Sequence, residues 1–153
     1  MNWISWEVAI KTVSEANCNE HWTKKAQRHR QQQLFTRLSF IANVKGFSLP
    51  CKVTLTRRSP RMLDTDNLVT AMKFIRDEVS ECLIPEKKGV YRTRSGKFKA
   101  LKGRADSDPR IEWEYRQLKA PFCSVGIELF FEESSLPVDT DRVETPPLLQ
   151  GTA

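Results

Sequence analysis

The chain has 153 residues, enough for one domain with a real core. At 39% hydrophobic and 29% charged it suits a globular protein; no apolar run approaches a membrane span, and the start lacks the basic-then-apolar pattern of a signal peptide. A net charge of +6 and a pI near 9.3 favour polyanionic partners, nucleic acid or an anionic membrane face. Cys18, Cys51, Cys82 and Cys123 are scattered with no CxxC pair, which excludes a zinc site of that kind and leads us to expect reduced thiols in a cytoplasmic protein.

In residues 4–13, Ile4, Trp6, Val8 and Ile10 alternate with Ser5, Glu7, Ala9 and Lys11, the period of a strand. A polar turn over residues 14–20 follows. A helix is predicted over 22–44, with Leu34, Leu38 and Ile41 as its buried stripe and Gly46 as its stop. Its first half carries Lys24, Lys25, Arg28 and Arg30, either a solvated face or a DNA contact. His21 and His29 read as polar surface or phosphate-facing residues.

A second strand is predicted over 47–57, where Cys51, Val53 and Leu55 alternate with Lys52 and Thr54. Beyond it lies Arg57-Arg58-Ser59-Pro60-Arg61-Met62-Leu63-Asp64-Thr65-Asp66-Asn67, and then a helix over 68–84 with Leu68, Met72, Ile75, Val79 and Leu83 on one face, ended by Pro85. Asp64 and Asp66 therefore stand where a strand hands over to a helix. In extended backbone, residues i and i+2 point the same way about 6.5–7 Å apart, so the two carboxylates can share a cleft. Such a pair repels itself and is relieved by a divalent cation. The plainer reading is an N-cap, which accounts for Asp66 or Asn67 but requires neither Asp64 nor three arginines upstream. Asp139-Thr140-Asp141 repeats the triplet with neither strand before it nor apolar helix after it, so the context carries the signal.

Residues 86–104 hold Lys87, Lys88, Arg92, Arg94, Lys97, Lys99, Lys102 and Arg104 against one acid, and read as a basic loop or small hairpin suited to tracking phosphates, or as a solvated insertion. Strands are predicted over 110–117 (Ile111, Trp113, Tyr115) and 124–131 (Val125, Ile127, Leu129, Phe131). From residue 134 the chain is rich in Pro, Thr and Asp and reads as a disordered tail. The order strand–helix–strand–helix–strand–strand predicts an α/β (α+β) fold, a mixed four-stranded sheet with two main helices packed on it. With the strand after Arg110 beside the second strand, Asp108 faces Asp64 and Asp66, and three carboxylates around Mg²⁺ make a phosphodiester-cleaving site.

These features resemble the RusA family of Holliday junction resolvases: the approach Arg57-Arg58…Arg61, the motif Asp64-Thr65-Asp66-Asn67-Leu68 opening a helix, and Asp108-Pro109-Arg110-Ile111 opening a strand. The matching region covers roughly residues 5–132. The resemblance implies a RusA-like endonuclease domain over 1–133 with a basic insertion at 86–104. It implies a homodimer that nicks four-way DNA junctions with Mg²⁺, Mn²⁺ being a possible substitute. By motif, Asp64, Asp66 and Asp108 are the metal-binding catalytic aspartates, with Asp106 a second candidate for the third position. Asn67 is the motif asparagine, counted with the DNA-binding residues and holding the loop or the helix start. Thr70 stands where the family has a lysine one turn into the helix, and Lys73 is the nearest lysine. The stretch before the third aspartate is longer than in the family.

The reading that results is a Mg²⁺-dependent, structure-selective endonuclease of recombination and repair, in the cytoplasm with the nucleoid and without a membrane partner. Asp64, Asp66, Asp108 and Lys73 form its catalytic set; Arg57, Arg58, Arg61, Lys87, Lys88, Arg92, Arg94, Lys97 and Lys99 hold DNA. The alternative is a branched-DNA or nucleic-acid-binding module of the same fold without chemistry.

Overall fold

The structure, a computed structural model, describes residues 1–87, 89–101 and 105–132. Its centre is a four-stranded mixed sheet built from β1 (Asn2–Val8), β2 (Cys51–Ser59), β5 (Ile111–Lys119) and β6 (Ser124–Phe131), in the spatial order β1-β6-β2-β5. β6 pairs antiparallel with β1 and β2, whereas β5 pairs parallel with β2, Cys51 opposite Ile111 and Ser59 opposite Lys119. A parallel neighbour needs a crossover, and here it comprises α2 (Thr65–Ala71), α3 (Lys73–Leu83) and a hairpin of β3 (Gly89–Arg92) with β4 (Phe98–Leu101). α1 (Trp22–Asn43) connects β1 to β2. The mixed α+β architecture agrees with the sequence pattern, with the hairpin added and the second predicted helix divided in two. Among the described residues no helix is long and apolar enough to cross a membrane.

Alternation along the strands divides the sheet into two faces. Trp6, Val8, Val53, Leu55, Ile111, Val125, Ile127 and Leu129 point to the helices and form the core with Leu68, Met72, Ile75, Val79 and Leu83. Among the described residues the opposite face carries no helix but a lattice of charges: Lys52–Glu114 at 2.8 Å, Arg116–Glu114 at 2.7 Å and Arg58–Glu7 at 3.2 Å. The apolar stripe predicted for residues 68–84 is therefore buried as expected. The helix starts earlier, at Thr65, and breaks at Met72, whose N–H is shared between the carbonyls of Leu68 and Val69 at 3.2 Å each.

Two further elements differ, besides the second strand, which runs over Cys51–Ser59 and not 47–57. The first strand was expected over 4–13, but pairing ends at Val8, opposite Val125, one residue from the start of β6. Ile10 and Thr12 are nonetheless buried, so the alternation there reports burial and not ladder bonds. The second difference is α1, whose expected buried stripe faces outward: Leu34, Leu38 and Ile41 are 53%, 54% and 60% exposed. Its buried residues are Gln32, Thr36 and Phe40. Gln32 donates to the Lys11 carbonyl at 2.9 Å, Trp6 donates to Ser39 Oγ at 3.1 Å, and Arg37 pairs with Glu78 and Glu81 of α3, both buried. Turning the helix over would bury three aliphatic chains at about 1.5–3 kcal/mol each. It would also leave the buried Glu78 and Glu81 carboxylates without Arg37, itself 41% exposed, and break the Gln32 and Trp6 hydrogen bonds, a loss of the same order. The polar seam wins.

Candidate functional site

The stretch from Arg57 to Asn67 is a tied turn. Successive strand residues point to opposite faces, so its arginines separate. Arg57 points inward and is only 4% exposed; its guanidinium donates to Thr12 Oγ1 at 2.9 Å, Ser59 Oγ at 3.1 Å and the Arg61 carbonyl at 2.6 Å. Burial pulls its pKa down from the usual arginine value. Arg57 thus pins the turn to the segment after β1 and offers no face to DNA, contrary to the expectation. Arg58 lies on the charged face of the sheet against Glu7, its guanidinium 3.1 Å from the point where a Cβ on Gly126 would stand. Arg61 alone of the three is exposed on the turn that leads to the aspartates.

Asp64 is the N-cap of α2. Its Oδ1 accepts the Asn67 backbone N–H at 2.9 Å and its Oδ2 accepts the Asn67 side-chain amide at 2.9 Å. The Asn67 side-chain oxygen accepts a bond from Ser14 Oγ at 2.5 Å, so Asn67 fastens the helix start to the loop after β1. That is the holding role expected of it, and no DNA contact is needed to explain it. Leu63, one residue earlier, is bonded through its N–H and carbonyl to the Gln117 side chain of β5, at 2.9 and 2.6 Å. Asp66 is exposed on the first turn of α2, where a negative charge meets the positive end of the helix dipole. Thr70, on the next turn, donates back to the carbonyls of Asp66 and Asn67. Lys73 is exposed at the start of α3, seven residues past Asp66, about 10 Å along a helix axis.

Asp108 does not join this pair. Because β5 runs parallel to β2, its entrance lies at the far end of the sheet from the turn that follows β2. Six residues separate Ile111, beside Asp108, from Gln117, beside Asp64; at the usual strand rise that is about 20 Å. The Asp108 carboxylate is buried at 4% exposure and accepts the Arg110 N–H and Nε at 3.0 Å each, closing the turn into β5. Asp106, the second candidate, is bridged to Arg76 at 2.5 Å, and Arg76 also donates to Tyr115 at 3.1 Å. Beside them burial, and then the charge of Asp106, raise the Asp77 pKa. Among the described residues no three His, Cys, Asp or Glu side chains converge on a cation-sized site. Asp64 and Asp66 are the exposed carboxylates that remain as candidate donors for a divalent ion. Mg²⁺ is commonly held by one or two carboxylates, with substrate phosphates and waters completing its octahedron. Each Asp64 oxygen has lone pairs left after the cap bonds, but Asp66 lies inside α2, where residues two apart do not face each other, so the shared cleft expected from extended backbone is not what the structure shows.

The cations divide unevenly. On α1, Arg28 is tied to Glu15 at 2.7 Å and to Glu20 at 2.9 Å, and His29 contacts Glu15 at 3.0 Å. Burial raises the Glu15 pKa, but these bonds from Arg28 and His29 outweigh it and bring the group down to about 2. Much of the basic first half of α1 is thus neutralised internally. Arg92, Arg94, Lys97 and Lys99 are all exposed on the hairpin. Lys87 ends the short 3-10 turn Pro85–Lys87; Lys88 and the 134–153 tail lie outside the described residues. Cys51 is a buried free thiol whose pKa burial pushes up to about 11, consistent with an inert core role. Sequence reasoning missed Thr12, Ser14 and Gln117, the polar groups that tie the turn; no spacing rule links residues 45 to 54 positions apart. No protein-family model, curated protein or solved structure matches the chain.

Proposed function

We propose that this protein is a Mg²⁺-dependent endonuclease of the RusA kind that nicks branched DNA, four-way junctions first among them. The observation that carries the reading is the turn at 64–67. Two exposed carboxylates two residues apart stand on it, and Asn67, Ser14 and Arg57 fix its shape. Asp66 is the carboxylate with most freedom to meet a cation, and Asp64 shares its oxygens between the helix cap and that cation. When bound, Mg²⁺ or Mn²⁺ supplies an attacking water of lowered pKa and neutralises charge on the scissile phosphate. Arg61 and Lys73 hold phosphates near the turn, and the exposed cations of the β3–β4 hairpin extend the footprint. Paired incisions across a junction suit a two-fold dimer. The outward stripe Leu34, Leu38 and Ile41 on α1, at the spacing of a helix–helix seam, is the surface we assign to it. Work on DNA sets the protein at the nucleoid.

The test is incubation with a labelled immobile four-way junction and with the matching linear duplex, in Mg²⁺ and in EDTA, beside Asp66→Asn. Paired nicks near the branch point that need Mg²⁺ and vanish in the variant are the expected result. A module that binds branched DNA without cleaving it is the second reading, favoured by the remoteness of Asp108 and by Thr70 in place of a lysine. It predicts tight junction binding with no nick in Mg²⁺ or Mn²⁺.

A further inference from the structure

The β3–β4 hairpin carries an aromatic ring that the core does not use. Phe98 is 73% exposed. It is paired across the hairpin with Arg92, and directly opposed residues of an antiparallel pair project from the same face, about 5 Å apart at Cβ. A guanidinium and a phenyl ring therefore share one side of the hairpin, close to its end. Lys97 and Lys99 flank Phe98 in sequence, Arg94 sits in the turn, and residues 87–105 contain no acid.

The turn is built to hold these groups in place. Thr93 N–H donates to the Lys97 carbonyl at 2.8 Å, Lys97 N–H donates to Thr93 Oγ1 at 3.2 Å, and Gly96 N–H donates to the Thr93 carbonyl at 2.9 Å. Gly96 takes φ +80°, a conformation other side chains resist. An Arg92 Nη2 lies 3.7 Å from where a Cβ on Gly96 would stand, so the guanidinium folds over the turn.

Single exposed apolar residues are common. A ring beside Arg92, with Arg94 and Lys97 in the adjoining turn and no acid in the segment, is a narrower case, because one ligand satisfies both features. An unpaired nucleobase offers an apolar face for the ring, and its phosphates offer charge for the cations. A membrane-inserting hairpin would carry its apolar residues at the tip, whereas this tip reads Thr93-Arg94-Ser95-Gly96-Lys97. We propose that Phe98 and Arg92 form a stacking platform for an unpaired base of single-stranded nucleic acid, with Arg94 and Lys97 of the turn on the flanking phosphates. The proposal deepens the branched-DNA reading, since a branch point is where unpaired bases are found.

The experiment measures binding of the full chain to labelled oligo(dT) and to a blunt duplex over a range of salt. It compares wild type with Phe98→Ala, Phe98→Tyr and Lys97→Ala, and adds an oligo(dT) carrying one fluorescent 2-aminopurine. Phe98→Ala is expected to weaken oligo(dT) binding roughly 5- to 100-fold with the salt slope unchanged and the 2-aminopurine quench lost; Phe98→Tyr restores both. Lys97→Ala is expected to lower the slope of log K against log salt by about 0.7 and to keep the quench. Oligo(dT) affinity in Phe98→Ala within two-fold of wild type overturns the platform. So does Phe98-dependent binding to phosphatidylserine vesicles in place of oligo(dT). Mg²⁺-dependent nicking of a junction by a protein that binds no oligo(dT) overturns the platform alone. A platform that works in a protein that never nicks overturns only the catalytic reading.

Discussion

Replacing Asp64 separates its structural work from its proposed chemistry. In Asp64→Ala, α2 loses the acceptor of the Asn67 backbone N–H, a change worth about 1 kcal/mol at an N-cap. The Asn67 amide also loses its Oδ2 partner while its oxygen keeps Ser14, which adds about 0.5 kcal/mol for a solvent-exposed bond. α2 has seven residues and no intrinsic stability to absorb the loss. The total, about 1.5 kcal/mol, corresponds to a fall in Tm of about 3–6 °C for a domain of this size. Asp64→Asn keeps the cap oxygen but sets its NH2 opposite the Asn67 amide, so it is expected to lose only that second bond, about 0.5 kcal/mol or about 1–2 °C. Under the nuclease reading it nonetheless loses Mg²⁺-dependent cleavage, because a carboxylate next to the cation becomes neutral. Calorimetry or circular-dichroism melts at pH 7, run beside the junction assay, give both readouts. A full Tm loss in Asp66→Ala with none in Asp64→Ala would refute the cap assignment. Undiminished cleavage by Asp64→Asn would remove Asp64 from the cation.

Further expectations follow the same contacts. Arg57→Met leaves Thr12, Ser59 and the Arg61 carbonyl without their donor and is expected to cost about 2–4 kcal/mol in urea titration, against less than about 1 kcal/mol for Arg58→Met. Equal losses would contradict the division of the two arginines between faces. Glu15, lowered from 4.5 to about 2, contributes stability that is present above pH 4.5 and is lost as pH falls towards 2. The stability gap between wild type and Glu15→Gln is therefore expected to be constant near neutrality and to close across that acid window; a gap that widens there reverses the sign. Leu38→Glu lies on the outward face of α1, so it is expected to leave the monomer's stability within about 0.5 kcal/mol while converting a dimer to monomer in light scattering. A wild type that scatters as a monomer removes that surface from the dimer reading.

Legibility from the sequence followed the kind of force at work. Where burial of apolar side chains decided, the period was a sufficient guide: the Leu68–Met72–Ile75–Val79–Leu83 stripe and the alternation in β5 and β6 appear in the structure as read. Where a few charges decided, it misled. α1 has no acid of its own, so nothing within it announces that Arg37 will answer Glu78 and Glu81, forty-odd residues away, and hold Leu38 outside. The turn at 64–67 was legible as a place where a strand meets a helix with two carboxylates exposed. Its cap was not, because Asp64, Asp66 and Asn67 are all good capping residues and only the backbone at Asp64 (φ −68°, ψ 168°) selects among them. The third aspartate depended on strand direction. The adjacency of β2 and β5 on which that site was conditioned is present, but a parallel pairing puts the start of β5 beside the start of β2, far from its end.

The hairpin sits inside a crossover whose two ends are already held. Glu86, before it, pairs with Arg110 at 3.3 Å, and Ala105, after it, is 2% exposed in the core and accepts the Asp108 N–H at 3.1 Å. Among the described residues no strand of the main sheet pairs with it. The entropy of closing a loop grows only slowly with its length, so the sheet is nearly indifferent to what is spliced between those two points. The hairpin is thus an interchangeable cassette: length and sequence there are free to drift, or to be redesigned, with little effect on whether the domain folds.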